Sequence, residues 1–153
     1  MRYFGMKLKS GPTIFCEVHD RKDDKYVISK PLIYDQRVHD EGNISIAFVP
    51  FNAYTNSPIH KIDVDEVYMA DPLSNKFIRM YGEAVMNFDI TYVKMDYYDR
   101  FTGNINEDYP QLVEMIDKCK KIGEKYAEIF EGISQPDFSE LEQKLAENRP
   151  TIN

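Results

Sequence analysis

Histidine, arginine and carboxylate side chains are the groups in this chain that could carry out chemistry. The three histidines, His19, His39 and His60, do not stand at the spacing that places two metal ligands on one helix or strand. The sequence contains no glycine-rich phosphate loop and no nucleophile elbow of the Gly-x-Ser-x-Gly type. A histidine–aspartate site assembled by folding is the alternative. We therefore predict a protein that is not an enzyme and that binds no metal or cofactor.

A second set of side chains lies in two predicted loops and is of the kind that binds single-stranded RNA. Arg21 and Lys22 could neutralise phosphate, Tyr54 could stack on a base, and Asn52 and Asn56 could read a base edge. The same residue types also fill ordinary polar turns. The formal net charge of −7 argues against a surface devoted to phosphate, because such surfaces carry a basic excess. RNA binding is therefore the alternative function and not the leading one.

The composition is that of an ordinary globular protein. Of 153 residues, 42% are hydrophobic and 29% charged, which argues against global disorder. Cys16 and Cys119 form no metal motif, and the alternation around Cys16 predicts a buried thiol. No apolar run approaches membrane-spanning length. We expect a cytoplasmic protein in a reducing compartment, with no membrane contact.

The elements that must position these groups are short strands. Alternating apolar residues and turn signals predict five strands, over 3–9, 13–20, 25–34, 44–51 and 59–70. The fourth is the most apolar and is expected at the core. Five strands in little more than half of the chain indicate a small, strongly bent antiparallel sheet or barrel. The predicted fold class is α+β, with the barrel followed by C-terminal helices.

After the strands, apolar residues recur at the spacing of helices. A first helix is predicted over 72–85, with Asp71 as N-cap and Pro72 at the first position. The alternation of residues 88–92 favours an extra strand over a helix within 87–98. A second helix over 110–130 carries a wide apolar stripe, which packs on its own barrel or on a neighbouring subunit. Ser139 and Glu142 predict a short last helix over 139–147. We divide the chain into a barrel with its trailing helix, 1–86, and an extension, 87–153.

Several short segments carry a resemblance to a known family. The stretches Leu-Lys-Ser-Gly at 8–11, Phe-Cys-Glu-Val at 15–18, Asp-Lys-Tyr-Val-Ile at 24–28, Lys-Pro-Leu at 30–32 and Phe-Val-Pro-Phe at 48–51 resemble Sm-like proteins of marine bacteriophages. The entry from 67 into the Asp-Pro pair at 71–72 is similar to the family's last strand and following helix. The resemblance covers residues 2–85. The chain lacks the two RNA-binding signatures of that family, Asp-x-apolar-x-Asn and Arg-Gly.

The resemblance implies a five-stranded barrel whose subunits join edge to edge. In that family the fourth strand of one subunit pairs with the fifth strand of the next and the subunits close into a ring. The corresponding interface residues here are Ile44, Ile46, Phe48, Ile62 and Val64. The leading functional expectation is a phage-encoded, non-enzymatic homo-oligomer that acts by assembly or by binding a phage or host protein. Single-stranded RNA binding or RNA chaperone activity on the ring face is the alternative.

Overall fold

A computed structural model describes residues 2–51, 57–130 and 143 of the chain. Its elements are β1 (Arg2–Leu8), β2 (Thr13–Lys22), β3 (Lys25–Val38), β4 (Ile44–Pro50), β5 (His60–Asp63), a 3-10 helix (Val64–Glu66), β6 (Val67–Pro72), α1 (Asn75–Tyr98) and α2 (Ile105–Phe130). The α+β class is confirmed: an antiparallel sheet precedes two helices. The predicted capping box at Ser139 and Glu142 lies outside the described residues.

The sheet is open and has a bulge in β3. Its strand order is β4–β3–β2–β1–β6, and β5 pairs with the first half of β3. Within the described residues no pairing joins the two ends, β4 and β6. The bend lies in β3, where Ser29 pairs with Glu17 and Leu32 with Phe15, so that β3 has one more residue than β2 between these pairs. The two halves of β3 consequently take different neighbours, β5 and β4.

The β2–β3 hairpin is longer than predicted. The expected charged loop over 20–24 is reduced to a two-residue turn, because Lys22 pairs with Lys25. Asp23 and Asp24 both have positive φ, 53° and 59°, as a type I′ turn requires. Aspartate tolerates this left-handed region better than most residues. The turn extends both strands and places charged residues of β2 beside the first residues of β3.

Two apolar clusters lie on opposite faces of the sheet. The inner cluster contains Met6, Leu8, Ile14, Cys16, Ile28 and Ile62. The outer cluster joins the sheet to both helices through Phe15, Leu32, Tyr81, Val85 and Tyr126. The alternation in β2 explains both, since Ile14 and Cys16 face inward while Phe15 faces the helices. The prediction of a buried Cys16 is confirmed.

The predicted extra strand within 87–98 is wrong, because this segment is the second half of α1. The predicted domain boundary at 86/87 therefore falls inside one continuous helix. Phe88 extends the stripe of α1 that packs in the outer cluster, and Tyr97 is buried farther along the same helix. Packing against α2 overrides the strand propensity of β-branched and aromatic residues.

Further elements differ from expectation, and α2 begins at Ile105, five residues before the predicted start. Asp71 and Pro72 belong to β6, and α1 begins at Asn75 with Ser74 as N-cap. The predicted fifth strand is divided by the 3-10 helix into β5 and β6. The fourth strand is an edge strand and not the centre of the sheet. Its high apolar content indicated a central position. In the structure its side chains lie at the edge of the sheet and are only partly buried.

Candidate functional site

An open groove of about 470 Å³ lies where the start of β1 meets the end of β2 and the start of β3. Its lining comprises Arg2, Phe4, Val18, His19, Asp20, Arg21 and Tyr26. Strand pairing places Arg2 opposite Val18 and Arg21 opposite Tyr26. The guanidinium carbon of Arg21 lies 5.6 Å from the centre of the Tyr26 ring. A groove lined by two arginines, one of them beside an aromatic ring, can hold a phosphate and stack on a base.

A bulge in β2 lies beside this groove at His19. Val18 pairs with Ile28 and Asp20 pairs with Val27, so His19 is an additional residue of β2 with no pairing partner of its own. A bulge redirects the side chains around it and is common beside functional sites. After the bulge Arg21 lies on the same face as its partner Tyr26, whereas the His19 ring bonds to Ser29 on the face of Glu17.

A hydrogen-bonded chain leads from His19 into the protein. His19 Nε2 lies 2.6 Å from Ser29 Oγ, and Ser29 Oγ donates to Glu17 Oε2 over 2.9 Å. Ser29 and Glu17 are both only 6% exposed. The arrangement differs from a catalytic triad, because the serine stands between the histidine and the acid and its proton is directed to the acid. It is a positioning chain and not an activated nucleophile.

Glu17 carries its charge into a buried, tyrosine-rich region. Burial, and then the nearby Glu17 charge, raise the pKa of the Cys16 thiol to about 12. The same two causes, in the same order, raise the pKa of Tyr3 and of Tyr81 above the usual value. For Tyr126 burial and the hydrogen-bonded Asp89 carboxylate are the larger causes of a raised pKa. These groups consequently stay neutral at ordinary pH.

A second polar cluster attaches both helices to the bend of β3. Lys30 has a φ of 49°, an unusual conformation for a residue with a side chain. Its carbonyl accepts a 2.6 Å hydrogen bond from Tyr81 of α1, and its ammonium donates to Tyr126 of α2 over 2.8 Å. The Tyr126 hydroxyl in turn donates to Asp89 over 2.5 Å. This cluster holds the helical hairpin on the sheet.

The free edge of β4 presents backbone groups to the outside. Phe51 N donates to Pro31 O over 3.0 Å, which identifies residues 51, 49, 47 and 45 as those bonded to β3. The even-numbered residues of the strand, Ile46 and Phe48 among them, therefore direct their N–H and C=O groups away from β3. Pro50 fits this pattern, since its missing N–H would point outward.

The free edge of β6 has the same character. Leu73 N donates to Tyr3 O over 2.9 Å, so residues 73, 71 and 69 bond to β1. Ala70 and Pro72 therefore direct their backbone outward. Apolar side chains are exposed along both edges, including Ile44 at 58% on β4 and Tyr68 at 67% on β6.

The predicted site residues are only partly brought together. Arg21 lines the groove, whereas Lys22 lies at the hairpin end opposite Lys25. Asn52, Tyr54 and Asn56 lie outside the described residues. Among the predicted interface residues, Ile44, Ile46 and Phe48 lie on the free β4 edge, Ile62 is buried in the inner cluster, and Val64 is half-buried in the 3-10 helix.

Arg2, His19 and Tyr26 are groove residues that sequence reasoning did not select. For Arg2 a signal exists: an antiparallel hairpin whose turn is centred on residue 10 places residue 2 opposite residue 18. For His19 there was none, since its place depends on a bulge. The described residues contain no group of three or more His, Cys, Asp or Glu side chains arranged for a metal ion.

Comparison with known proteins adds no family assignment. No protein-family model matches the chain, and no curated protein sequence matches it. Within the part of the chain that the structure describes, no helix is both long and apolar enough to cross a membrane.

Proposed function

We propose that this chain is an Sm-like assembly protein whose subunits join edge to edge, β4 of one copy pairing with β6 of the next, to form a ring. The observation that carries this proposal is that no described residue pairs with the outer edge of β4 or of β6, and that both edges are lined by outward backbone groups and exposed apolar side chains. Unpaired edges of this kind are a template for pairing with another chain, and monomeric proteins usually protect them.

The surface beside β6 favours pairing of this edge with β4 of another copy, and not with a second β6. A shallow groove of about 310 Å³ runs along this edge, lined in part by Gly5, Met69, Leu73 and Phe77. It offers an apolar recess for side chains of an added strand. Pairing between two different edges is heterologous. Each added subunit is then rotated by the same angle relative to the one before it, so that the row of subunits can close into a ring.

Two proline substitutions test this pairing without breaking the sheet. Ile46→Pro removes an outward N–H of β4, and Ala70→Pro removes an outward N–H of β6; neither removes a bond within the subunit. We expect a discrete multimer for the unmodified protein by light scattering and a monomer for each variant. Val49→Pro, which removes an inward N–H, is the matched control and should instead lower the stability of the subunit.

Mixing the two variants separates heterologous from symmetric pairing. Each variant retains the edge that the other lacks, so the mixture should give a dimer with a single β4–β6 junction. Persistence of the full multimer in both variants would overturn the proposal. A multimer lost only in Ile46→Pro would indicate β4–β4 pairing instead.

Single-stranded RNA binding is a second candidate function, favoured by the groove that contains Arg2, Arg21 and Tyr26. A cationic and aromatic surface of this kind binds phosphate and stacks on bases with little sequence preference. It predicts affinity for oligouridine that falls with salt, and a smaller salt dependence after Arg2→Ala or Arg21→Ala. Arg37→Ala, at an exposed arginine paired with Asp35 outside the groove, is the control. Affinity that does not change with salt would exclude this function.

A further inference from the structure

We propose that the far end of the helical hairpin is a docking surface for a basic amphipathic helix of another protein. This surface, the distal patch, consists of Tyr92 and Met95 of α1 and Ile105, Tyr109 and Ile116 of α2. Their side chains are 44–69% exposed. The inference goes beyond ring assembly and RNA binding, and it rests on neither.

The α2 part of the distal patch continues a stripe that packs on the sheet farther along the helix. Apolar or small residues recur in steps of four and three from Ile105 to Phe130. At the end of this stripe Tyr126 and Phe130 lie in the outer cluster. A repeat of this period stays on one face of a helix, so Ile105, Tyr109 and Ile116 share the face that packs on the sheet. The described residues leave the first half of that face largely uncovered.

The α1 part of the distal patch has the same origin. Phe77, Tyr81 and Phe88 lie in or against the outer cluster, and Tyr92 and Met95 follow them at helical spacing. The Tyr92 ring stacks on the Phe88 ring at a centroid distance of 6.5 Å. The stripe of α1 that packs on the sheet therefore also continues as an exposed apolar face.

Both exposed faces lie at the same end of the hairpin. The two helices are antiparallel: Phe130 packs against Gly82, and farther along α1 the Lys118 ammonium lies 5.0 Å from the centre of the Tyr97 ring. The exposed last turns of α1 are consequently beside the exposed first half of α2, away from Gly82 and Phe130.

The charges around the distal patch define the chemistry of its partner. Residues 92–117 carry six acidic and two basic side chains, and one of the basic groups, Arg100, is already paired with Asp96. Asp96 and Asp117 directly follow residues of the patch, and Asp99 lies one helical turn beyond it. An apolar face bordered by carboxylates is complementary to an apolar stripe flanked by lysine or arginine. An amphipathic helix presents such a stripe at the spacing that fits a helical surface.

Segments of this chain itself do not have that chemistry. Residues 131–153 carry five acidic and two basic side chains, so they would add like charge to the patch. A second copy docked patch to patch would also oppose acidic groups to acidic groups. The lysine-rich part of α2 in a second copy, residues 118–125, exposes no large apolar side chain. A basic amphipathic helix of another protein supplies both the charge and the apolar stripe.

The test uses a fluorescein-labelled peptide of about 18 residues, about five turns of helix, with leucine at the a and d positions of a heptad and lysine elsewhere. Fluorescence anisotropy at physiological ionic strength measures its binding to the full chain. One control peptide has glutamate in place of lysine, and a second has the composition of the first in an order that gives no stripe. We expect the striped basic peptide to bind at micromolar concentration, about tenfold or more tightly than either control.

Paired variants assign the binding to the distal patch. Ile105→Ala and Tyr109→Ala should each weaken it by about tenfold, because apolar and aromatic anchors carry most of the affinity of an interface. Ile59→Ala is the matched control, since Ile59 is 50% exposed but lies before β5. Asp99→Lys should weaken binding by about fivefold, the upper range for an exposed ion pair. Glu41→Lys makes the same change of charge in the loop between β3 and β4 and should have a smaller effect.

Each result supports or overturns the proposal. Absence of binding by the striped basic peptide overturns it, as does equal binding of the peptide that has no stripe. Binding that is unaffected by Ile105→Ala and Tyr109→Ala also overturns it. If these two variants instead lower the mass of the protein alone in light scattering, the patch joins copies of this chain and the proposal is wrong. All the substituted side chains are exposed, so loss of binding is not a consequence of unfolding.

Discussion

Gly82 allows the end of α2 to pack closely on α1, and replacing it tests that packing. It is buried in α1, and a Cβ atom at this position would lie 2.5 Å from Cε2 and 2.9 Å from Cε1 of Phe130. Those distances are well inside van der Waals contact, so the ring must move. From the sequence alone Gly82 is only a helix-weakening residue, and Gly82→Ala would be expected to stabilise by about 1 kcal/mol.

The structure predicts the opposite sign. Displacing Phe130 disturbs its ring contacts with Tyr3 and Tyr126, at centroid distances of 5.7 and 6.1 Å. Overpacking of this kind costs about 1–3 kcal/mol, and each aromatic pair contributes about 0.5–1.5 kcal/mol. After subtraction of the propensity gain of about 1 kcal/mol from the overpacking cost, we expect Gly82→Ala to lower the free energy of unfolding by up to about 2 kcal/mol.

Urea denaturation followed by circular dichroism measures this change. Gly123→Ala is the control, because this helical glycine of α2 has no atom within 4 Å of its added Cβ, and it should stabilise by about 1 kcal/mol. In a Phe130→Ala background Gly82→Ala should also become stabilising. Stabilisation by Gly82→Ala alone, equal to that at Gly123, would refute the close packing of the two helix ends.

Three other outcomes follow from the described contacts. Because the pKa of Cys16 is raised to about 12 while Cys119 is partly exposed, iodoacetamide at mildly alkaline pH should label only Cys119 in the folded protein, as read by mass spectrometry. Tyr126→Phe removes the hydroxyl that joins the bend of β3 to Asp89, and should lower the free energy of unfolding by about 1–3 kcal/mol in urea denaturation. Asp108 accepts backbone hydrogen bonds that lower its pKa below 3.8, so its stabilising contribution is complete above that value and is lost as the pH falls through the folded pKa. Asp108→Asn should therefore flatten the acid limb of a pH–stability profile, and an unchanged limb would contradict this assignment.

The helical hairpin shows why part of the fold was not predictable. Residues 88–98 contain β-branched and aromatic side chains that suit a strand as well as a helix. Their helical state depends on α2, which follows later in the chain and covers Tyr97. A local pattern contains no information about such a partner, so periodicity alone could not decide between the two.

The candidate groove likewise combines residues that could be selected from the sequence with features that could not. Arg21 could be selected as a phosphate-binding residue from its place in a charged loop, and Arg2 follows from hairpin register. The place of Arg21 beside Tyr26 and the chain from His19 to Glu17 depend on one additional residue in β2 and another in β3. Bulges are stabilised by the surrounding packing, and these two leave no signal in the alternation of residue types.

The sequence by itself determined the elements whose information is local: the alternation of β1 and β2, the inward direction of Cys16, the α+β order and the apolar stripe of α2. Only the tertiary structure decided which strand lies at the edge, where β3 bends, and that Glu17 is buried beneath the helices. The physical reason is that side-chain period is a property of neighbouring residues, whereas strand order, bulges and burial of a charge depend on contacts between residues far apart in the chain.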